Sequence, residues 1–189
     1  MVVRPTSTIR SICQQRPIRW AIVVYFVVCV VNALSAIGLG LPEGAGLPDL
    51  APFSISVRII GTLVGTLIIG LLTLVVLTAI YHVVASVLGG KGSYSGLFSG
   101  FAFTTLPSIF SAPLAAISLP LGIVGTILYG LGSIGLIVWV VVLVVIAIRE
   151  NYLVSTGRAI LIYLLPLILL VILSILIVIL VIGMISGLL

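Results

Sequence analysis

Charge is what this chain lacks. Among 189 residues there are 8 lysines and arginines, 3 aspartates and glutamates, and a single histidine. Charged residues amount to 6% of the chain, where soluble domains carry roughly 25%. A water-soluble fold of this size could not cover its surface with so few charges, which excludes a soluble protein with an oversized apolar core. The same scarcity excludes most polar chemistry. No two carboxylates lie close enough in sequence for general acid–base work. One imidazole makes no metal site without further ligands. No serine sits in a nucleophile elbow, and no basic stretch is interleaved with aromatics to hold nucleic acid. Neither catalytic residues, nor a metal, nor a cofactor is expected. The two cysteines, Cys13 and Cys29, fall in a basic N-terminal segment and inside an apolar run, which suits neither a disulfide framework nor a metal knuckle.

What fills the chain is apolar. Hydrophobic residues reach 62%, against roughly 45–50% in soluble proteins. They form continuous runs at about 20–41, 57–88, 97–118, 122–148 and 159–187. Backbone in lipid must satisfy its own hydrogen bonds, so spans are helices or a closed barrel. A barrel would alternate apolar and polar residues, and these runs do not. The fold class is therefore all-α, a polytopic five-helix transmembrane bundle at 20–189 preceded by a basic tail at 1–19. Residues 92–148 carry no formal charge over 57 positions. As one helix they would reach about 85 Å, against a hydrocarbon core of roughly 30 Å. They must fold back, and Pro107, Pro113, Pro120 and Gly122 are the breakers. Pro107 and Pro113 are expected to kink the third span.

The few charges punctuate these runs. With the N-terminus cytoplasmic and the C-terminus outside, Arg4, Arg10, Arg16, Arg19, Lys91, Arg149, Arg158 and Glu150 lie on the inner side. Only Glu43, Asp49 and Arg58 lie outside, a positive-inside pattern. Ala33-Leu34-Ser35 before Ala36 resembles a signal cleavage site. The apolar run continues past it to Leu41, so an uncleaved anchor is expected.

Two groups of residues stand out. Helices in lipid associate by close packing of small residues. Gly61 and Gly65 in the second span and Gly130, Gly132 and Gly135 in the fourth are expected to bring those spans together. The last three spell GxGxxG, but without a preceding strand or a following acid to hold a ribose. The second group is a polar layer at the cytoplasmic face, made of His82, Lys91, Arg149, Glu150 and Arg158, with Tyr81 and Tyr152 in the same layer. A His–Glu or Arg–Glu contact there would order the loops or receive a protein partner. Interfacial anchoring is the simpler role for such residues.

His82 near the end of a span, then Gly89-Gly90-Lys91-Gly92-Ser93-Tyr94, then Phe101 to Pro107 and Pro113, resemble the Yip family of integral membrane proteins. The stretch from Trp139 to Glu150, followed by Leu153-Val154-Ser155-Thr156-Gly157-Arg158-Ala159, is similar to that family's fourth span and its link into the fifth. The resemblance implies five membrane helices with a cytoplasmic N-terminus. Eukaryotic members are implicated in vesicle traffic and in recruiting prenylated GTPases through long N-terminal domains. The short N-terminal segment here resembles the prokaryotic branch. The expected function is non-enzymatic, membrane-organising or partner-recruiting. Its surroundings would be the lipid bilayer of a cell membrane (an endomembrane in a eukaryote), with a cytoplasmic protein partner and self-association both compatible. The alternative is a small-solute or ion transporter or channel subunit, supported by the proline-broken third span and the hydroxyls of Thr62, Thr66, Thr73 and Thr78. Those threonines more commonly bond their own helix carbonyls.

Overall fold

The computed structural model describes residues 5–39 and 55–186. Arg4 and the loop with Glu43 and Asp49 lie outside them. Among the described residues every regular element is helical. The α-helices are α1 (Pro5–Gln15), α2 (Ile18–Leu39), α3 (Ile55–Val87), α4 (Tyr94–Thr104), α5 (Ser111–Ser118), α6 (Gly122–Tyr152) and α7 (Thr156–Ser186). Two 3-10 turns, Leu106–Phe110 and Leu119–Leu121, flank α5.

Four helical stretches are long and apolar enough to cross a membrane, namely Ile18–Ser35, Ile59–Val87, Tyr94–Tyr152 and Thr156–Leu180. The third covers 59 residues, and laid straight it would reach about 88 Å. It is a hairpin instead. Asn151 bonds the carbonyl of Ser93, Ala147 lies against Gly100, and the Trp139 ring stacks on Phe110. Further along, Gly132 faces Leu114 and Gly125 faces the carbonyl of Ser118. Positions climb on one arm as they fall on the other, so α4 and α5 run antiparallel to α6. Pro120 sits in the 3-10 turn at the tip, and Gly122 follows at φ 56°, ψ −129°, a backbone shape that only glycine adopts cheaply. The chain is an all-helical, multi-pass membrane protein.

The ascending arm of that hairpin is broken for a local reason. Pro107 has no amide hydrogen to donate, so α4 ends at Thr104 and a 3-10 turn takes over. Hydroxyls keep carbonyls near the break satisfied in the absence of water. Thr104, Thr105 and Ser108 donate to the carbonyl oxygens of Phe101, Ala102 and Thr105 at 2.8, 2.7 and 2.7 Å. Helix α5 resumes with Pro113 in its first turn, where its missing donor costs nothing.

Helix α4 forms the axis of the core. Residues 96–102 are all buried, and α1, α2, α3 and α6 pack around the helix. The small residues Gly96, Ser99 and Gly100 let these neighbours come close, while Phe98 and Phe101 fill the space between them. Helix α7 contributes Ala159 and Ile162 to the core, but from 167 to 180 all its large apolar side chains are exposed. This arm stands outside the bundle core.

The basic segment expected to be a tail carries α1. Ile9 and Cys13, four apart and thus on one face, are buried against the hairpin.

At the same end of the bundle two helices terminate with left-handed caps. Helix α3 closes on Gly89 (φ 78°) with amides of Gly89 and Gly90 bonded to the carbonyls of Ser86 and Ala85 at 3.0 and 2.9 Å. Helix α6 makes the same reversal with Leu153 (φ 54°), whose side chain is largely exposed. A leucine in that conformation is disfavoured by roughly 1 kcal/mol. Leu153→Gly is therefore expected to raise the melting temperature in detergent, a stabilisation of about 0.5–1 kcal/mol.

Candidate functional site: the basic end of the bundle

The site is built where three stretches far apart in sequence meet: α1, the turn from α3 into α4, and the link from α6 into α7. Ser93 caps α4, accepting from the Gly96 amide at 3.2 Å. Its carbonyl accepts from the Asn151 amide group at 3.0 Å, which fixes the α3–α4 turn to the end of α6. The turn approaches so closely that glycine is required. A Cβ on Gly96 would lie 2.8 Å from the carbonyl oxygen of Cys13, with Asn151 closer still, and one on Gly92 would lie 2.7 Å from the carbonyl oxygen of Asn151.

Glu150 is the acid of this layer, and its side chain is only 11% exposed. Arg149 donates to its Oε1 from Nε at 2.9 Å and from Nη2 at 2.6 Å, while Arg10 of α1 meets Oε2 at 3.0 Å. Arg149 also reaches the Thr156 hydroxyl at 3.4 Å, at the start of α7. A carboxylate this buried needs such pairing, since unpaired it would cost several kcal/mol. The Arg10–Glu150–Arg149 group thereby ties α1 to α6, and Arg149 extends it to α7. Beneath it, Cys13 is held as a neutral thiol. Burial pushes its pKa up to about 12, and the negative charge of Glu150 adds to the shift.

His82 is placed differently. Its Nδ1 shares a 2.6 Å hydrogen bond with the Tyr152 hydroxyl, and its ring lies edge-on to Tyr94 at 5.9 Å. Next to it, Tyr81 meets Phe101 edge-on at 5.5 Å and stacks on Tyr163 at 6.0 Å. This aromatic layer joins α3, α4, α6 and α7 just below the charges.

Of the two contacts considered from the sequence, Arg–Glu is formed, while His82 pairs with a tyrosine. Lys91 is exposed and lines two clefts. One holds Arg16, Glu150 and Asn151; the other, of about 320 Å³, holds Arg158, Ser155 and Tyr152. The structure gathers His82, Lys91, Arg149, Glu150 and Arg158 at one end. Arg10, Tyr152 and Asn151 stand beside them in the sequence pattern, but their pairing does not: Arg10 with Glu150, Tyr152 with His82, and Asn151 with the carbonyl of Ser93.

The glycine expectation needs correcting. Helix α3 packs chiefly on α2, α4 and α7, and it meets α6 at the basic end, where His82 bonds Tyr152. The fold-back puts α4 and α5 along α6 instead. Gly132 lies under the side chain of Leu114, whereas Gly130 and Gly135 have no atom within 4 Å of where a Cβ would sit. Gly61 and Gly65 remain half-buried on α3. Gly70 of α3 lies against Tyr25 of α2: a Cβ there would come within 3.0 Å of the tyrosine hydroxyl, which donates to the Gly70 carbonyl at 2.8 Å.

A second polar group lies inside the apolar body. Asn32 of α2 donates to the Ser108 hydroxyl at 3.0 Å and accepts from Ser111 at 3.3 Å, latching the first span onto the broken third one. Asn32→Ala is expected to lower stability by about 1 kcal/mol, the scale of a hydrogen bond between membrane helices. A detergent melting series would read it.

A family model, the Yip1 domain, matches residues 1–188 of this chain. No curated protein and no solved structure matches it.

Proposed function

The chain belongs to the Yip1 domain family, and from that premise we propose that it is a non-enzymatic membrane protein that holds a protein partner against the outward face of α1. The supporting observation is the seating of α1. A basic N-terminal segment without a role would have no reason to be locked by Arg10–Glu150 and by the burial of Ile9 and Cys13. Once seated, α1 turns Ser11, Gln14 and Gln15 outward along a cleft of about 400 Å³ that also includes Arg10, Arg149 and the Glu150 they engage. Amides, hydroxyls and guanidinium groups on a rigid helix suit recognition of an acidic or polar peptide surface.

The basic end is the cytoplasmic one in this reading, because Arg10, Arg16, Arg19, Lys91, Arg149 and Arg158 accompany it. The membrane is a cell membrane, with the C-terminus outside. Support for a solute pathway is thinner. Thr73 and Thr78, which would line one, donate to the Ile69 and Leu74 carbonyls of their own helix at 2.7 and 2.6 Å.

The test is a photo-crosslinking amino acid at Ser11 or Gln14 in native membranes with lipids intact. A discrete protein adduct is expected, and it should disappear in a Glu150→Ala background that unseats α1. Crosslinking only to lipid from both positions would sink the proposal.

A further inference from the structure

On the other side of the same face lies the cleft between the α3–α4 turn and the α6–α7 link. Lys91 and Arg158, 67 positions apart in sequence, line it together with Ser155, Tyr152 and Val154. Among the described residues neither cation has an ion-pair partner. Glu150, the one acid in the described segments, faces the neighbouring clefts and is engaged by Arg10 and Arg149. The cleft therefore gathers positive charge with nothing on its walls to cancel it.

Its depth is fixed by the spans. Lys91 follows the end of α3 by four residues, and Arg158 stands two residues inside α7, directly before its apolar run. Both charges are thus at the edge of the hydrocarbon region, where lipid phosphates lie. The walls match that position. The Ser155 hydroxyl and the two cations form the polar side, while Val154, the Tyr152 ring and the adjacent exposed Leu153 offer apolar surface toward the membrane. Basic pockets between membrane helices at this level favour anionic headgroups.

We infer that the Lys91–Arg158 cleft binds the phosphate of an anionic phospholipid. The cations act as a clamp from two loops, so a bound headgroup would bridge the α3–α4 turn and the α6–α7 link. This site is separate from the α1 surface and does not depend on a protein partner there. Arg158 gives a fork for two phosphate oxygens and Lys91 a point charge.

The test uses the purified full-length chain and native mass spectrometry of its complexes with phosphatidylglycerol and phosphatidylcholine. Lys91→Gln/Arg158→Gln should weaken phosphatidylglycerol binding on the order of thirtyfold, about fivefold for each basic group, and leave phosphatidylcholine unchanged. Lys91→Arg/Arg158→Lys keeps both charges and should retain most of the binding, with all variants melting like the parent. Arg16→Gln/Arg19→Gln removes the same net charge elsewhere and should have much the smaller effect. Wild-type binding by the Gln pair, or an equal loss in the Arg16/Arg19 pair, would overturn the assignment. Inorganic phosphate, matched for ionic strength with chloride, should not displace the lipid. Displacement at comparable affinity would make this a free-phosphate site and overturn the lipid reading.

Discussion

Gly96→Val is expected to cause the largest loss of stability of any single substitution considered for this chain. A side chain there meets three different elements at once. Its Cβ would press on the Cys13 carbonyl oxygen of α1 at 2.8 Å, on the Ser93 hydroxyl at 2.9 Å, and on the Asn151 amide of α6. The Cys13 oxygen is backbone and cannot rotate aside as a side chain could. Relief requires α1 to lift, which exposes Ile9 and Cys13, or Asn151 to swing away, which breaks its bond to Ser93. Overpacking alone costs about 1–3 kcal/mol, and the lost contacts raise the total to roughly 4 kcal/mol. A melting point lower by on the order of 10 °C follows for a chain of this length. Gly135→Val, at a position with open space around its Cα, is the matched control and should leave the melting point nearly unchanged. Equal melting of the two variants would mean that α1, α4 and α6 do not meet at Gly96.

Glu150→Ala is expected to have the next largest effect, concentrated on α1. The contribution divides unevenly between the two arginines. Arg10 is 58% exposed, so solvent screening leaves its link worth about 1 kcal/mol or less. The Arg149 contact is shorter and better shielded, and hydrogen bonds to charged groups contribute about 1.5–3 kcal/mol. Removing the carboxylate also leaves Arg149 and Arg10 facing each other without an anion between them. The sum is about 2–3 kcal/mol. Limited trypsin digestion reads it locally. Cleavage after Arg10 should speed up by at least about tenfold as α1 opens, while fragments cut within the spans stay rare. Glu150→Gln keeps an acceptor for both arginines and should fall between the parent and the alanine variant. If digestion is unchanged in Glu150→Ala, the carboxylate is not what seats the helix.

The sequence carried the class of this fold because spans are a matter of length and polarity. Runs that lack charge can only be helices in lipid, and the hairpin at Pro120-Gly122 followed from the distance a 57-residue uncharged stretch would otherwise cover. The Yip resemblance was legible in glycines, prolines and aromatics at the ends of spans. Which faces meet was not legible. Apolar helices look alike all round, so a glycine stripe on the second and fourth spans could not reveal that the third would occupy the space along the fourth. The polar layer was legible in membership and not in pairing. A count of charges says that His82, Lys91 and Glu150 share an end of the bundle. It cannot say that Glu150 looks to Arg10, because α1 was read as a tail. Ile9 and Cys13 provide only two apolar contacts per turn-and-a-bit of a short helix, too weak a periodic signal against 100 or more strongly apolar residues. Asn32 was hidden for the opposite reason, a lone amide in a run that otherwise spans, whose partners come from a break 76 positions away.

The seated α1 is the claim on which the proposed partner surface rests, and Cys13 reports on it without any added probe. In a Cys29→Ala background it is the remaining thiol. It is buried, with a pKa raised to about 12 by that burial and by the nearby charge of Glu150, so both access and thiolate are scarce at pH 8. Alkylation by a small maleimide in native membranes should run at least about a hundredfold slower than in denaturing detergent. Labelling at the same rate in membranes and in denaturing detergent would show a free N-terminal segment and contradict the account.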